Sequence, residues 1–227
     1  MPLIETTGRQ SSSVTRESEG NDILLRGLRD GTLVMADFVG AMALEGRVFG
    51  VNAGTITGPI NMGTQATGID STEPDLMVTV PADITIILLD VIIQMEAYGA
   101  TGIFEAMVAI GSGGVLGSDS DLTPANLNTG SNRKSSCSAG AASSNDATYM
   151  TSNVTEIIRW GAAKAVTVGT ADDTSKLPPA NYEWQAKQAG YWPILKGAAG
   201  FAVYAPAATA TGFIMARWLE VPSVWFN

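Results

Sequence analysis

Residues 84–96 alternate with the two-residue period of a strand, yet both sets of alternating positions are apolar. Ile87, Leu89, Val91, Ile93 and Met95 fall on one face, and Ile84, Ile86, Leu88 and Ile92 on the other. A strand of this kind has to be covered twice, within a sandwich or against a neighbouring subunit. Asp90 and Gln94 interrupt the run, and it is too short for a bilayer-crossing helix, so no membrane span is expected.

The rest of the chain after Gly46 repeats the strand theme on a smaller scale. Strands are expected at 47–57, 76–80, 101–110, 154–160, 164–168, 191–195, 201–205 and 211–221, each bounded by turn residues such as Gly58-Pro59 or Pro81-Ala82-Asp83. The last two, joined through Pro206, read as a hairpin. Before Gly46 the period changes: Val34, Met35, Phe38, Val39 and Met42 mark one face of a helix over 33–45, with Gly46 placed to end it. Residues 111–152, rich in Gly, Ser, Asn and Ala, read as a long structureless loop, a feature that usually serves contact with a neighbour or with the outside. The expected fold class is therefore mainly β: a two-sheet antiparallel sandwich, or jelly roll, with one short N-terminal helix. It occupies residues 31–227 as a single domain, preceded by an extended N-terminal arm over 1–30.

Composition narrows the chemistry. The chain has 227 residues and no histidine. That removes the commonest general base near neutral pH and the commonest metal ligand, and with it Ser-His-Asp and Cys-His catalysis. Cys137 is the single cysteine, set among Ser135, Ser136 and Ser138, so no intrachain disulfide can form. It reads as an incidental thiol, exposed or half-buried. The net charge of −9 argues against phosphate-backbone binding, which needs clustered Lys and Arg. In the arm, Arg9, Arg16, Arg26 and Arg29 are outweighed by Glu5, Glu17, Glu19, Asp22 and Asp30. No direct nucleic-acid contact is expected.

Individual motifs are weak. Residues 111–117 (Gly-Ser-Gly-Gly-Val-Leu-Gly) follow a strand, but their spacing misses the dinucleotide fingerprint by one residue, and the acids after them would repel phosphate; they read as turn glycines. Asp119 and Asp121 could offer oxygens to calcium but lack the remainder of a calcium loop. Asp90 and Glu105 lie in strands that could pair, which would allow carboxylate acid/base hydrolysis of a glycan. Asn153-Val154-Thr155 matches a glycosylation acceptor, without a secretion signal to support it. No catalytic, cofactor-binding or metal site is assigned, and the chain is not expected to be an enzyme.

The arm points toward assembly. Ordering it would cost about 1–2 kcal/mol per residue in backbone entropy, and its few apolar residues, Leu3, Ile4, Val14 and Ile23 to Leu25, are poorly suited to offset that. Contact with adjacent subunits is the simplest source of the difference. At the other end, Trp225-Phe226 is suited to anchor in a neighbour as aromatic hot spots do.

Taken in order, Ala36-Asp37-Phe38 through Leu44-Glu45-Gly46-Arg47-Val48-Phe49, then Leu76-Met77-Val78-Thr79-Val80-Pro81, then Phe201 to Ala205 and Gly212 to Pro222, give a chain that resembles single jelly-roll virion proteins. These include the small capsid and capsid-cementing subunits of bacterial and archaeal viruses. The likeness covers roughly residues 33 to 222. It implies packing into trimers or larger shells with other copies and other virion proteins, loops projecting outward, and arms tying neighbours together. The tentative assembly contacts are Arg9, Arg16, Arg26, Arg29, Trp225 and Phe226. Expected localisation is the virion, after synthesis in the host cytoplasm. The acidic arm departs from coat proteins with basic, genome-binding tails and favours an outer or cementing role. The alternative is a jelly-roll fibre head or adhesin module that binds carbohydrate.

Overall fold

The computed structural model describes residues 37–62, 69, 74–97, 103–114, 116, 122–140, 152–163, 180–205 and 210–226. The arm over 1–30, the start of the expected helix, Asp119 and Asp121, and the expected strand at 164–168 lie outside the described residues.

Helix α1 (Phe38–Leu44) begins at Asp37, whose carboxylate accepts from the Gly40 amide at 3.3 Å. It ends in a Schellman motif: Gly46 takes φ 68°, its amide reaches the Ala43 carbonyl, and the Arg47 amide reaches Met42, both at 2.9 Å. The stripe it packs against the sheet is Val39, Met42 and Ala43, each partly buried. Phe38, expected on that face, is half exposed instead.

Among the described residues twelve strands follow: β1 (Val48–Ala53), β2 (Ile60–Met62), β3 (Leu76–Val80), β4 (Ile84–Ala97), β5 (Ile103–Ser112), β6 (Ala125–Asn126), β7 (Ser138–Gly140), β8 (Ser152–Ala163), β9 (Asn181–Gln185), β10 (Ile194–Lys196), β11 (Ala199–Tyr204) and β12 (Ala210–Pro222). A short helix α2 (Ala186–Ala189) separates β9 from β10, and a 3-10 turn (Ser223–Phe226) follows β12. All pairings are antiparallel. One sheet has the order β10-β4-β12-β1-β6, with β2 also on β12 and β9 also on β4; the other runs β7-β3-β11-β5-β8.

β1 and β2 lie end to end along β12, and β9 and β10 lie end to end along β4. Counting each such pair as one row, and leaving aside the two short strands β6 and β7, the described residues supply eight rows. They are ordered 1-8-3-6 in one sheet and 2-7-4-5 in the other. This order is two Greek keys folded onto each other, a jelly roll. The sandwich expected from the sequence is therefore present.

Three expectations need correction. β11 and β12 do not form a hairpin: β11 sits between β3 and β5, while β12 sits between β1 and β4 in the opposite sheet. Second, β4 does not keep one parity. A register shift between Arg217/Trp218 leaves Leu89 as an extra residue opposite β12, so Ile86 and Leu88 point into the core before it, and Val91, Ile93 and Met95 after it. The third concerns 111–152. Gly113 turns at φ 82° just past β5, as a turn glycine should, but residues 122–140 are structured. They wrap round the sandwich, adding β6 to the edge of β1 and β7 to the edge of β3. The Asn128 amide caps the Ala43 and Leu44 carbonyls at the end of α1, at 3.3 and 3.0 Å. Smaller differences are β9 and α2, which were not foreseen, and β10, which takes only Ile194–Lys196.

The space between the sheets is filled by side chains. Trp218, Phe49, Phe201, Met62, Leu76, Leu88 and Ile214 are fully buried there, with Phe201 set edge-on to Trp218 at 6.0 Å between centroids. At the side where β8 faces β9, Trp160 meets Tyr182 at 6.2 Å and the Tyr191 hydroxyl donates to the Ile157 carbonyl at 3.1 Å. Among the described residues no helix is long and apolar enough to cross a membrane.

Candidate functional site

The shift at Leu89 has a consequence on the outer face of the seven-stranded sheet, because it turns Asp90 outward. Asp90 is in register with Arg217 on one side and Gln185 on the other, and Arg217 is in register with Gly50. One row across four strands therefore reads Gly50–Arg217–Asp90–Gln185. The Arg217 guanidinium donates through Nε to Asp90 Oδ1 at 2.7 Å. Asp90 is largely covered, with 13% of its side chain exposed, against 45% for Arg217. Gly50 makes the row shallow. A Cβ there would lie 3.3 Å from Cγ of Arg217 and 3.4 Å from a Leu127 methyl, so its absence lets both side chains lie across the floor.

This row floors an open groove of about 390 Å³. Asp37 at the N-cap of α1, Val39 of α1 and Leu127 of the wrapping segment wall one part; Lys187 of α2 and Trp192 wall another. Trp192 leaves 44% of its surface exposed. Among the described residues the charges lining the groove are two acids, Asp37 and Asp90, and two bases, Lys187 and Arg217, with Glu183 close to Asp90. Burial pushes the Asp90 carboxyl above its ordinary pKa. The hydrogen bond and charge of Arg217 act in the opposite direction, and the nearby Glu183 charge adds to the rise.

A second polar cluster reaches into the sandwich. Glu220, 5% exposed, lies on the same side of β12 as Trp218 and accepts from the Trp218 indole at 2.9 Å, the Ser136 amide at 3.0 Å and the Ser135 hydroxyl. These bonds tie the wrapping segment to β12. Arg47, Arg133 and Lys134 stand at the cluster's mouth. Cys137 lies beside it and is buried, not exposed or half-exposed. Burial, then the Glu220 charge, pushes its thiol far above the ordinary cysteine range, which keeps it protonated and a poor nucleophile.

The remaining sequence candidates separate. Asp90 and Glu105 do not face each other, because β4 and β5 belong to different sheets. Glu105 sits 3.8 Å from Arg159. Trp225 is half-buried against its own domain, in a cluster with Val48, Leu219, Val221 and the α1 stripe, with the Arg47 guanidinium 4.6 Å above its ring. Phe226 ends the 3-10 turn, and its side chain lies outside the described residues, as do Arg9, Arg16, Arg26 and Arg29. Among the described residues no group of three or more Cys, Asp or Glu side chains is arranged to hold a metal ion. Sequence reasoning missed Arg217, Gln185, Trp192 and Glu220. The available signal was the placement of Arg217 and Glu220 as lone charges in an otherwise apolar closing strand.

In comparisons with known proteins, no family model, curated protein or solved structure matches the chain.

Proposed function

We propose that this chain is a virion structural subunit, a capsid or capsid-cementing protein that works by subunit-subunit packing. The observation that carries the reading is the eight-row jelly-roll order combined with an interior given over to side-chain packing. The two buried acids among the described residues, Glu220 and Asp75, are both engaged in hydrogen bonds: Asp75 accepts from the Ala205 amide at 2.7 Å. A scaffold of this kind offers its faces, edges and termini for contact. Fold alone does not fix function, and jelly rolls also serve lectins and cupins. The polar arm and the sequence resemblance tip the balance toward assembly.

In this reading the arm arginines Arg9, Arg16, Arg26 and Arg29 and Phe226 contact neighbouring copies, while Trp225 packs against its own domain. Sedimentation velocity of the purified chain tests it. A closed oligomer, trimer or larger, is expected, and replacing the four arm arginines together by serine should shift it toward monomer. A chain that remains monomeric at every concentration, on its own and with its virion partners, would overturn the reading.

A further inference from the structure

We propose that the groove over Gly50, Arg217, Asp90 and Gln185 is a binding site for a neutral glycan, with Trp192 as the stacking platform. A sugar presents one face of C–H groups and a rim of hydroxyls that both donate and accept. The groove supplies a counterpart to each. Trp192 offers an exposed indole surface at the wall, and indole combines a large apolar face with a polar tip. On the floor, the 2.7 Å ion pair fixes Arg217 and Asp90 in place before any ligand arrives. It uses only Nε of the guanidinium and one oxygen of the carboxylate. Both terminal nitrogens of Arg217 and Oδ2 of Asp90 are without a partner among the described residues. Gln185 donates its amide nitrogen to Glu183, which leaves its carbonyl oxygen as an acceptor. Donors and acceptors therefore sit side by side in one cross-strand row, spaced by the sheet itself.

Charge selects among ligand classes. A nucleotide or acidic polysaccharide would need a surplus of bases, but among the described residues the two bases lining the groove are matched by two acids, with Glu183 adding a further negative charge nearby, within a chain of net charge −9. An apolar peptide would need an unbroken greasy floor, which the ion pair interrupts. The groove is an open channel, suited to one or two sugar units of a longer chain and not to engulfing a small molecule. Gly50 keeps that channel open, because any side chain there would press on Arg217 and Leu127. This site does not depend on the assembly reading, since every residue in it belongs to one copy.

The test is a glycan array carrying neutral glucose-, galactose- and mannose-terminated oligosaccharides beside sialylated and sulfated ones. Titration of the best neutral hit into wild type, Trp192→Ala and Gln185→Ala follows. Binding to neutral glycans is expected, weakened at least ten-fold by Trp192→Ala and about three-fold by Gln185→Ala, with unchanged thermal unfolding for both variants. Val154→Ala, on the distant β8, should bind as wild type. The proposal is overturned by an array without neutral hits, by binding restricted to acidic glycans and lost with salt, or by a Trp192→Ala variant that binds as wild type.

Discussion

Two adjacent rows on the outer face of the seven-stranded sheet have opposite fates. Val48, Leu219 and Ile87 form one row, in register across β1, β12 and β4. Helix α1 lies over this row, and Leu219 is fully buried beneath it. The next row, Gly50–Arg217–Asp90–Gln185, runs across the same strands and is open to solvent as the groove floor. Neither strand length nor pairing distinguishes them. The difference comes from side chains two positions apart along β12, and from the extra residue at Leu89 that gives β4 an outward carboxylate at that point. One jelly-roll face can thus carry a sealed structural half and an open half suited to recognition.

Substitutions in the two rows should separate them. Leu219→Ala, in the covered row, should cost about 2–5 kcal/mol in urea unfolding, because it leaves a cavity under α1. Arg217→Ala, in the open row, should cost about 1 kcal/mol, since its partner Asp90 is mostly covered while Arg217 itself is half exposed. Equal losses would mean that the open row is as structural as the covered one. Glu220→Ala, two residues away from the Arg217/Trp218 register shift, should fall between them at about 2–3 kcal/mol, because three donors lose one acceptor. Gly46→Ala should cost about 1–2 kcal/mol, as it strains the φ 68° position that ends α1 and presses on Ser131.

The smallest effect expected is one of pH. Asp90 and Glu156 are each bound to an arginine, yet their pKa values move in opposite directions. Glu156 is exposed, so its hydrogen bond to Arg159 dominates and lowers it. Asp90 is covered, so desolvation dominates and raises it. A raised carboxylate binds more protons in the folded state. The stability linked to Asp90 is therefore greatest below its ordinary pKa and falls as pH rises through the elevated folded value. Glu156 has the reverse slope: its contribution is present above its ordinary pKa and lost as pH falls through the lowered one. Urea unfolding between pH 3 and 7 should show the Asp90→Asn variant declining less with rising pH than wild type. A parallel profile would remove Asp90 from the account.

Much of this architecture was legible in the residues. β3 matches its expected bounds, and β4, β8, β11 and β12 fall within a few residues of theirs. What was hidden has physical causes. In β4, apolar residues on both faces conceal a one-residue slip, since either parity satisfies the period-two pattern. Sequence adjacency made β11 and β12 look like a hairpin, but the pairing partner of β12 is set by the long match with β4, twelve paired positions that no local signal reveals. The segment over 122–140 is held by the Asn126, Asn128 and Ser135 side chains and the Ser136 amide, bonding to distant backbone or to Glu220, and such contacts leave no periodicity. The groove was invisible for the same reason: Gly50, Asp90, Gln185 and Arg217 meet only through sheet register. Asp90 alone was singled out, and its expected partner, Glu105, lies in the opposite sheet.

Electron microscopy of purified virus particles is the most direct test of an assembly role. Averaged density should show this eight-row fold repeated under the symmetry of a shell, with residues 1–30 of one copy lying against another. Particles whose shell contains no such density, together with a chain found only free in solution, would contradict it.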